Sequence, residues 1–384
     1  MSQHAKREYL ISIWERYRNA SLEEKGHILD EFCKNCGYNR NYAIRKLGRP
    51  LDAPKRKPGR KPTYDEHFVR VLAQIWMAMH RSCSKKVVAA LPHWLQHAEF
   101  EPEVTAKLLA ISPATIDRVL KIFRYRQIHG KTLTSVGGRA FVKRMIPLKP
   151  LDAEYTKPGY LQADTVGHCG DDIMGFYAFS LTITDIFSTW TENRAIWTKN
   201  AHMVGNQIKD IEKTLPFQIL GYSADNGNEV LNERIWDYFQ NRPESKKVDV
   251  TRGRPYRKND QAHVEQKNNS HVRGLFGYER IDERSLVGRM NDIYRLWNQL
   301  QNFFIPTMKC IEKKRDGARI IKKYDKPKTP YQRILESADV TLEAKDKLRA
   351  IYSGLNPFEL SKELERSRKL FFGILKKLKQ PLAA

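Results

Sequence analysis

Three acidic residues stand where carboxylates could gather at one site. Asp164 closes the apolar lead-in Gly159-Tyr160-Leu161-Gln162-Ala163, and Asp225 closes Ile219-Leu220-Gly221-Tyr222-Ser223-Ala224 and is followed by Asn226-Gly227. Glu265 lies inside the polar run from Arg254 to Asn269. The gaps are 61 residues from the first acid to the second and 40 from the second to the third. Hydrolysis or transfer at a phosphodiester needs two Mg²⁺ ions about 3.5–4 Å apart, one activating the nucleophile and one steadying the leaving oxygen. Mg²⁺ takes hard oxygen ligands and keeps several waters, so a few carboxylates suffice. Asp164, Asp225 and Glu265 are therefore read as one catalytic and metal-ligating site, with two Mg²⁺ as cofactor and Mn²⁺ able to substitute.

The surrounding pattern supplies elements to position them. Strands are expected over 160–166, 177–185 and 189–196, a helix over 201–214, a strand over 219–224, a helix over 229–240, a strand over 248–251 and a helix from about 261. Three antiparallel strands followed by alternating helix and strand is the order of a ribonuclease-H-like α/β core; its expected span is 159–305. Asp164 and Asp225 meet if their strands are neighbours, and Glu265 closes the site from a helix. Among competing acids, Asp171 and Asp172 fall in a turn, Asp185 ends the second strand as an auxiliary ligand at most, and Asp260 suits the N-cap of the Glu265 helix. Arg257, Lys258 and Lys267 bracket the glutamate and are read as holding DNA phosphates, with His263 at the scissile phosphate. A solvated basic face and an exposed helix-surface histidine are the alternatives.

The 384-residue chain carries a formal charge of +24, which favours a polyanionic partner through phosphate neutralisation and counterion release. A merely basic, ribosome-associated protein is the rival. No apolar run approaches the roughly 20 residues of a membrane span, and the N-terminus leads into charged, helical sequence, so neither a membrane nor a secretory signal is expected. Five scattered cysteines suit a reducing cytoplasm. Cys33 and Cys36 form a lone CxxC without a second pair, and two thiols on a helix end is preferred to structural zinc.

Ahead of the core, residues 1–50 read as three helices ending in a helix-turn-helix. Ser21 is expected as an N-cap and Gly37 as a C-cap, with Arg40, Asn41, Arg45 and Lys46 on a basic face suited to phosphates and base edges. A plain three-helix bundle is the alternative. Residues 51–63 form a basic linker in which Arg60 and Lys61 of Gly59-Arg60-Lys61-Pro62 suit a minor groove or simply a solvated tether. Residues 64–130 give a second helical DNA-binding unit; Ser112-Pro113 starts a helix with Thr115, Arg118 and Lys121 outward. Gly130-Lys131-Thr132 imitates a P-loop end, but the glycine required five residues earlier is Tyr125. Residues 131–158 form a basic connector. Beyond the core, 306–335 read as a basic β-hairpin module and 336–384 as helices, whose Leu370, Phe371, Phe372, Ile374 and Leu375 suit either internal packing or docking of another subunit.

Taken together the motifs resemble the DDE transposases and retroviral-type integrases, above all the bacterial insertion-sequence transposases. The resemblance rests on Gly159-Tyr160-Leu161 leading to Asp164, on His168-Cys169-Gly170, on Asp225-Asn226-Gly227, and on the long run Arg254 to Asn268 around Glu265. It continues through Asn302-Phe303-Phe304 with Pro306, and through Tyr324-Asp325-Lys326-Pro327 with Thr329-Pro330-Tyr331, covering about 140–335. The Asp–Glu gap is longer than in retroviral integrases. The resemblance implies a multidomain protein: all-α helix-turn-helix units, the ribonuclease-H-like core, and a small basic C-terminal β/helical region. It further implies a DNA transposase that binds its element's terminal repeats, cuts the 3′ strands and joins them to target DNA. Its partners would be double-stranded DNA and further copies of itself, at least as a dimer, at the nucleoid of a bacterial cytoplasm. A structure-selective nuclease on the same fold and a domesticated, non-catalytic DNA-binding regulator are the alternatives.

Overall fold

The computed structural model describes residues 1–51, 64–124, 155–224, 229–252, 262–316 and 319–380. Its chain divides into two units, Met1–Thr63 and Tyr64–Ala384. Arg60, Lys61, Asp225, Arg257 and Lys258 lie outside the described residues, as do Asn226, Gly227 and Asp260.

Local signals set the first unit, which comprises α1 (Gln3–Asn19), α2 (Leu22–Cys36) and α3 (Arg40–Leu47). Ser21 and Glu24 close a reciprocal capping box at the start of α2. Gly37 ends it at φ 66°, where a side chain would be strained, and its N–H bonds Cys33 O. Ile13, Ile28, Leu29, Phe32, Ala43 and Leu47 form the core, with the Cys36 thiol buried among them.

The second unit begins with α4 (Glu66–Ala78), α5 (Ser84–Trp94), α6 (Pro102–Ala110), α7 (Pro113–Val119) and α8 (Lys121–Arg124). A sheet follows: β1 (Tyr160–Gly167), β2 (Phe179–Asp185), β3 (Thr191–Ile196), then α9 (Ala201–Thr214), β4 (Gly221–Ala224), α10 (Glu233–Gln240) and β5 (Asp249–Arg252). Helix α11 (Ala262–Lys267) continues through a π-helical turn, Asn268–Arg273, into α12 (Gly274–Phe276). After α13 (Leu286–Phe304) come the hairpin β6 (Cys310–Asp316) and β7 (Arg319–Tyr324), then α14 (Pro330–Glu336), α15 (Leu342–Ser353) and α16 (Pro357–Leu378). Helices α4 to α7 share one apolar core with α13 to α16, and Trp94 Nε1 donates to Phe304 O across it at 3.0 Å.

The strand order is β3-β2-β1-β4-β5. The first three strands are antiparallel, and β1, β4 and β5 are parallel. This is a mixed α/β sheet core with many helices around it. Strand 3 starts later than its β-branched sequence suggests, because Thr189 takes a left-handed φ of 62° in the turn from β2. Helix α10 likewise starts at Glu233, where Asn232 caps it, rather than at 229.

The two sheet faces are built differently. Leu161, Ala163, Leu181 and Ile183 meet α9 and α10 through Val204, Ile208, Ile235 and Phe239 in a purely apolar layer. The opposite face carries Gln162, Ser180, Thr182, Thr184 and Asn193, all buried, beneath α11 and α13. Here hydrogen bonds replace apolar burial: His271 Nδ1 lies 3.0 Å from Asn193 Oδ1, and Asn193 Nδ2 donates to Thr182 Oγ1 at 2.8 Å.

Asparagines of α13 also cover the outer edge of β3. Asn302 accepts from Thr191 N and donates to Thr191 O, both at 2.9 Å. Asn291 does the same at Ala195, at 2.8 and 3.0 Å, and Asn298 at Asn193, at 3.3 Å each way. A carboxamide offers the same donor–acceptor pair as a peptide, so this stripe stands in for a sixth strand and closes an edge that would otherwise be open to pairing. On its far side α13 packs against α16, where Phe371 and Leu375 are buried and the Phe371 ring meets Phe276 edge-on at 5.2 Å. That part of the C-terminal apolar stripe is thus used inside the chain; Leu370 remains exposed.

Candidate active site

Alternation along β1 sends Leu161 and Ala163 into the apolar layer and Gln162 and Asp164 to the polar face. Asp164 sits half-buried opposite Thr182. Its Oδ1 accepts from Thr165 N at 2.7 Å and its Oδ2 from Asn268 Nδ2 at 2.6 Å. Ala163, just before it, pairs with Ala224 at the end of β4, the residue just before Asp225.

Helix α11 lies over this strand. Val264 N–H reaches Gln162 Oε1 at 3.3 Å, and Val264, Asn268 and His271 turn inward at helical spacing. Glu265 is exposed on the same helix, three residues before Asn268. Among the described residues no three His, Cys, Asp or Glu side chains cluster as a metal group, and Asp225 is not one of them. The donor chemistry nevertheless suits Mg²⁺: the carboxylate of half-buried Asp164, with the buried Asn268 Oδ1 beside it lacking any hydrogen-bond partner. Asn268 was not singled out in the sequence, although its place one helical turn beyond Glu265 was the signal that marks it.

Other acids have structural duties. Asp185 is buried and accepts from Gly159 N at 2.8 Å and from Ser188 N and Oγ, both at 2.6 Å. It pairs with Leu161, three residues back from Asp164, so it pins a turn at the other end of β1. Burial lifts its carboxyl to about 6 despite those bonds. Glu229 Oε1 accepts from Thr165 Oγ1 and pairs with Lys199 Nζ, each at 3.3 Å. His168 is a core residue: Nε2 meets Ser180 Oγ at 2.7 Å, the ring lies edge-on to Phe276, and burial drives its pKa down to about 3.

The basic residues singled out in the sequence scatter. Arg40 is paired with Asp30, Arg45 Nε donates to Asn41 O at 3.3 Å, and the Lys46 ammonium lies 5.5 Å from the Tyr42 ring centre. Arg118 folds back on Thr115 Oγ1 at 3.0 Å, and Thr115 N is capped by Ser112; Lys121 is exposed at the start of α8. His263 and Lys267, in contrast, are brought together on α11 at the wall of a groove of about 1500 Å³. Lys267 is only 8% exposed, and burial, aided by the nearby charge of Lys86, depresses its ammonium to about 7. No solvated basic face exists at that position. Lys86, Lys309 and Lys322 line the same groove; Lys309 and Lys322 belong to the hairpin read as basic in the sequence, but their meeting with Lys86 and α11 carried no sequence signal, since these elements are remote along the chain.

Among solved structures, the chain is similar to the catalytic core domain of BIV integrase, at 18% identity over 46% of this chain and 94% of that one, with a TM-score of 0.30. It is also similar to the HTLV-2 integrase catalytic core domain in complex with magnesium, at 13% over 39% and 90%, TM-score 0.29. A chain of the simian T-cell lymphotropic virus intasome in complex with PP2A regulatory subunit B56 gamma aligns at 13% over 58% and 70%, TM-score 0.32. No family model matches the sequence. Over 343 residues, 87% of this chain and 96% of the relative, it is 34% identical to the uncharacterized protein y4rM of Sinorhizobium fredii (strain NBRC 101917 / NGR234). With so much of both chains aligned at that identity, the protein belongs to the y4rM family.

Proposed function

We propose that the protein is a DNA transposase of the DDE type, a polynucleotidyl transferase working at Asp164, Asp225 and Glu265. The observation that carries this reading is the seat of Asp164. It lies on the central strand beside β4, whose last residue precedes Asp225, and it is tied through Asn268 to the helix that bears Glu265. Strand order and the net charge of +24 agree with a phosphodiester substrate.

The three carboxylates would hold two Mg²⁺, which when bound supply the charge stabilisation and nucleophile activation that phosphodiester transfer requires. The chain's own contribution is orientation. Thr165 N–H and the Asn268 amide fix the Asp164 carboxylate from both oxygens, and the Gln162–Val264 bond fixes the start of α11. Water would serve as nucleophile for 3′-strand cutting, and the freed 3′-OH for joining to target DNA. Helices α2–α3 and α6–α7 are proposed to read or grip the element's terminal repeats, with at least two copies needed to bring two ends together.

The test is to incubate purified protein with labelled element-end DNA and a supercoiled target plasmid in Mg²⁺, beside Asp164→Asn and Glu265→Gln. Wild type is expected to cut and join. Both variants should still bind and lose chemistry by roughly three orders of magnitude, the several kcal/mol that metal-borne charge stabilisation supplies. Cutting without joining would point to a nuclease, and binding with no Mg²⁺-dependent chemistry would overturn the enzymatic reading.

A further inference from the structure

The large groove of the second unit is lined by neither Asp164 nor Glu265. Gln162 is absent as well, and the lining uses His263, Lys267, Ser270 and Gly274 of the α11–α12 segment. Glu265 follows His263 by two residues, about 200° round a helix. One helix therefore has the groove on one side and its glutamate on the other.

Cations reach this groove from separate elements: Arg81 from the α4–α5 turn, Lys86 from α5, Lys267 from α11, Lys322 from β7 and Lys362 from α16. None of these side chains has a hydrogen-bonding or ion-pair partner among the described residues. The lining acids are already engaged, Asp185 by Gly159 and Ser188 and Glu365 by Arg368. Lys267 is decisive. Its side chain is more than nine-tenths buried, faces the groove and meets no counter-charge, an arrangement that is costly unless an anion completes it. Arg81 is moreover held, with His80, at a left-handed φ (55° and 49°), a strain of the kind that persists at binding sites.

We infer that this groove binds the sugar–phosphate backbone of a nucleic-acid strand on the side of α11 away from Glu265, with Lys267 as its deep anchor. A volume of about 1500 Å³ exceeds that of a usual small-molecule pocket, and charges spread over five elements suit a chain of phosphates better than a single one. The choice of nucleic acid over another polyanion rests on the function proposed above.

The experiment is fluorescence anisotropy of a labelled DNA duplex and a labelled single strand against the full-length protein in EDTA, across a salt series, so that chemistry is silent. Lys267→Met keeps the buried stem and removes the charge; it should bind about tenfold more weakly with the slope of log K against log salt reduced by about one. Its melting temperature should equal or exceed that of wild type, which a lysine of purely structural value would not give. Arg81→Gln and Lys362→Gln, both at exposed positions, should each lower the slope similarly. Unchanged affinity and slope in all three variants overturn the proposal. Lys267-dependent binding of poly-glutamate or of tripolyphosphate as tight as that of DNA overturns the nucleic-acid assignment. Asp164→Asn separates the two readings: loss of cutting with DNA binding insensitive to Lys267 removes the groove alone, and Lys267-dependent binding without any cutting in Mg²⁺ removes the transposase alone.

Discussion

The two faces of the central sheet solve the same packing problem by opposite means. Against α9 and α10 the strands present Leu, Ile, Ala and Val, and stability there comes from apolar burial that is indifferent to orientation. Against α11 and α13 they present Gln, Ser, Thr and Asn, whose hydrogen bonds fix direction as well as distance. Asp164 lies on the second face. A carboxylate site needs side chains held to fractions of an ångström, which a directional network supplies and an apolar layer does not. The same network buries groups that must all be satisfied, so it is the more fragile half.

Breaking each face in turn sharpens the contrast. Phe239→Ala, deep in the apolar layer, should cost about 3–5 kcal/mol in urea unfolding while leaving the proposed Mg²⁺-dependent chemistry in the surviving folded fraction intact. Loss of chemistry at full folding would show that the layers are not independent. At the turn that ends β2, Asp185 provides a pH signature. Its folded carboxyl titrates near 6 against 3.8 as its ordinary value. The folded state therefore holds this proton more tightly: the contribution is fully present below about pH 4 and lost as pH rises through 6. Between pH 4 and 7 the stability of wild type relative to Asp185→Asn should fall by roughly 3 kcal/mol; a pH-independent difference would refute the shift. Smallest is Asn302→Ala, which strips both partners from the buried Thr191 peptide and should cost about 2–3 kcal/mol. Hydrogen exchange would then open selectively along β3, and uniform opening would deny the edge-covering role of α13.

Much of this was legible in the chain. The two apolar runs ending in aspartate, the β-branched second strand and the Glu265 helix follow from short-range periodicity, because alternation and helical spacing are local properties. Caps at Ser21, Gly37 and Ser112 are local as well. The role of Asp185 was not legible: an acid at a strand end reads alike whether it faces a metal or a turn, and only the Leu161–Asp185 register distinguishes them. The asparagines of α13 showed their helical spacing, yet their partner, a strand edge roughly 100 residues earlier, is set by tertiary packing.

Sequence alone thus determined the strand that carries Asp164 and the helix that carries Glu265, and the cationic character that favours a polyanion. Tertiary structure decided where charge is buried. Lys267 reads in sequence as one more exposed base beside Glu265, and it becomes a secluded ammonium only because α5, the β6–β7 hairpin and α16 converge on the far side of α11. Burial is a property of what folds over a residue, and that is supplied by segments distant along the chain.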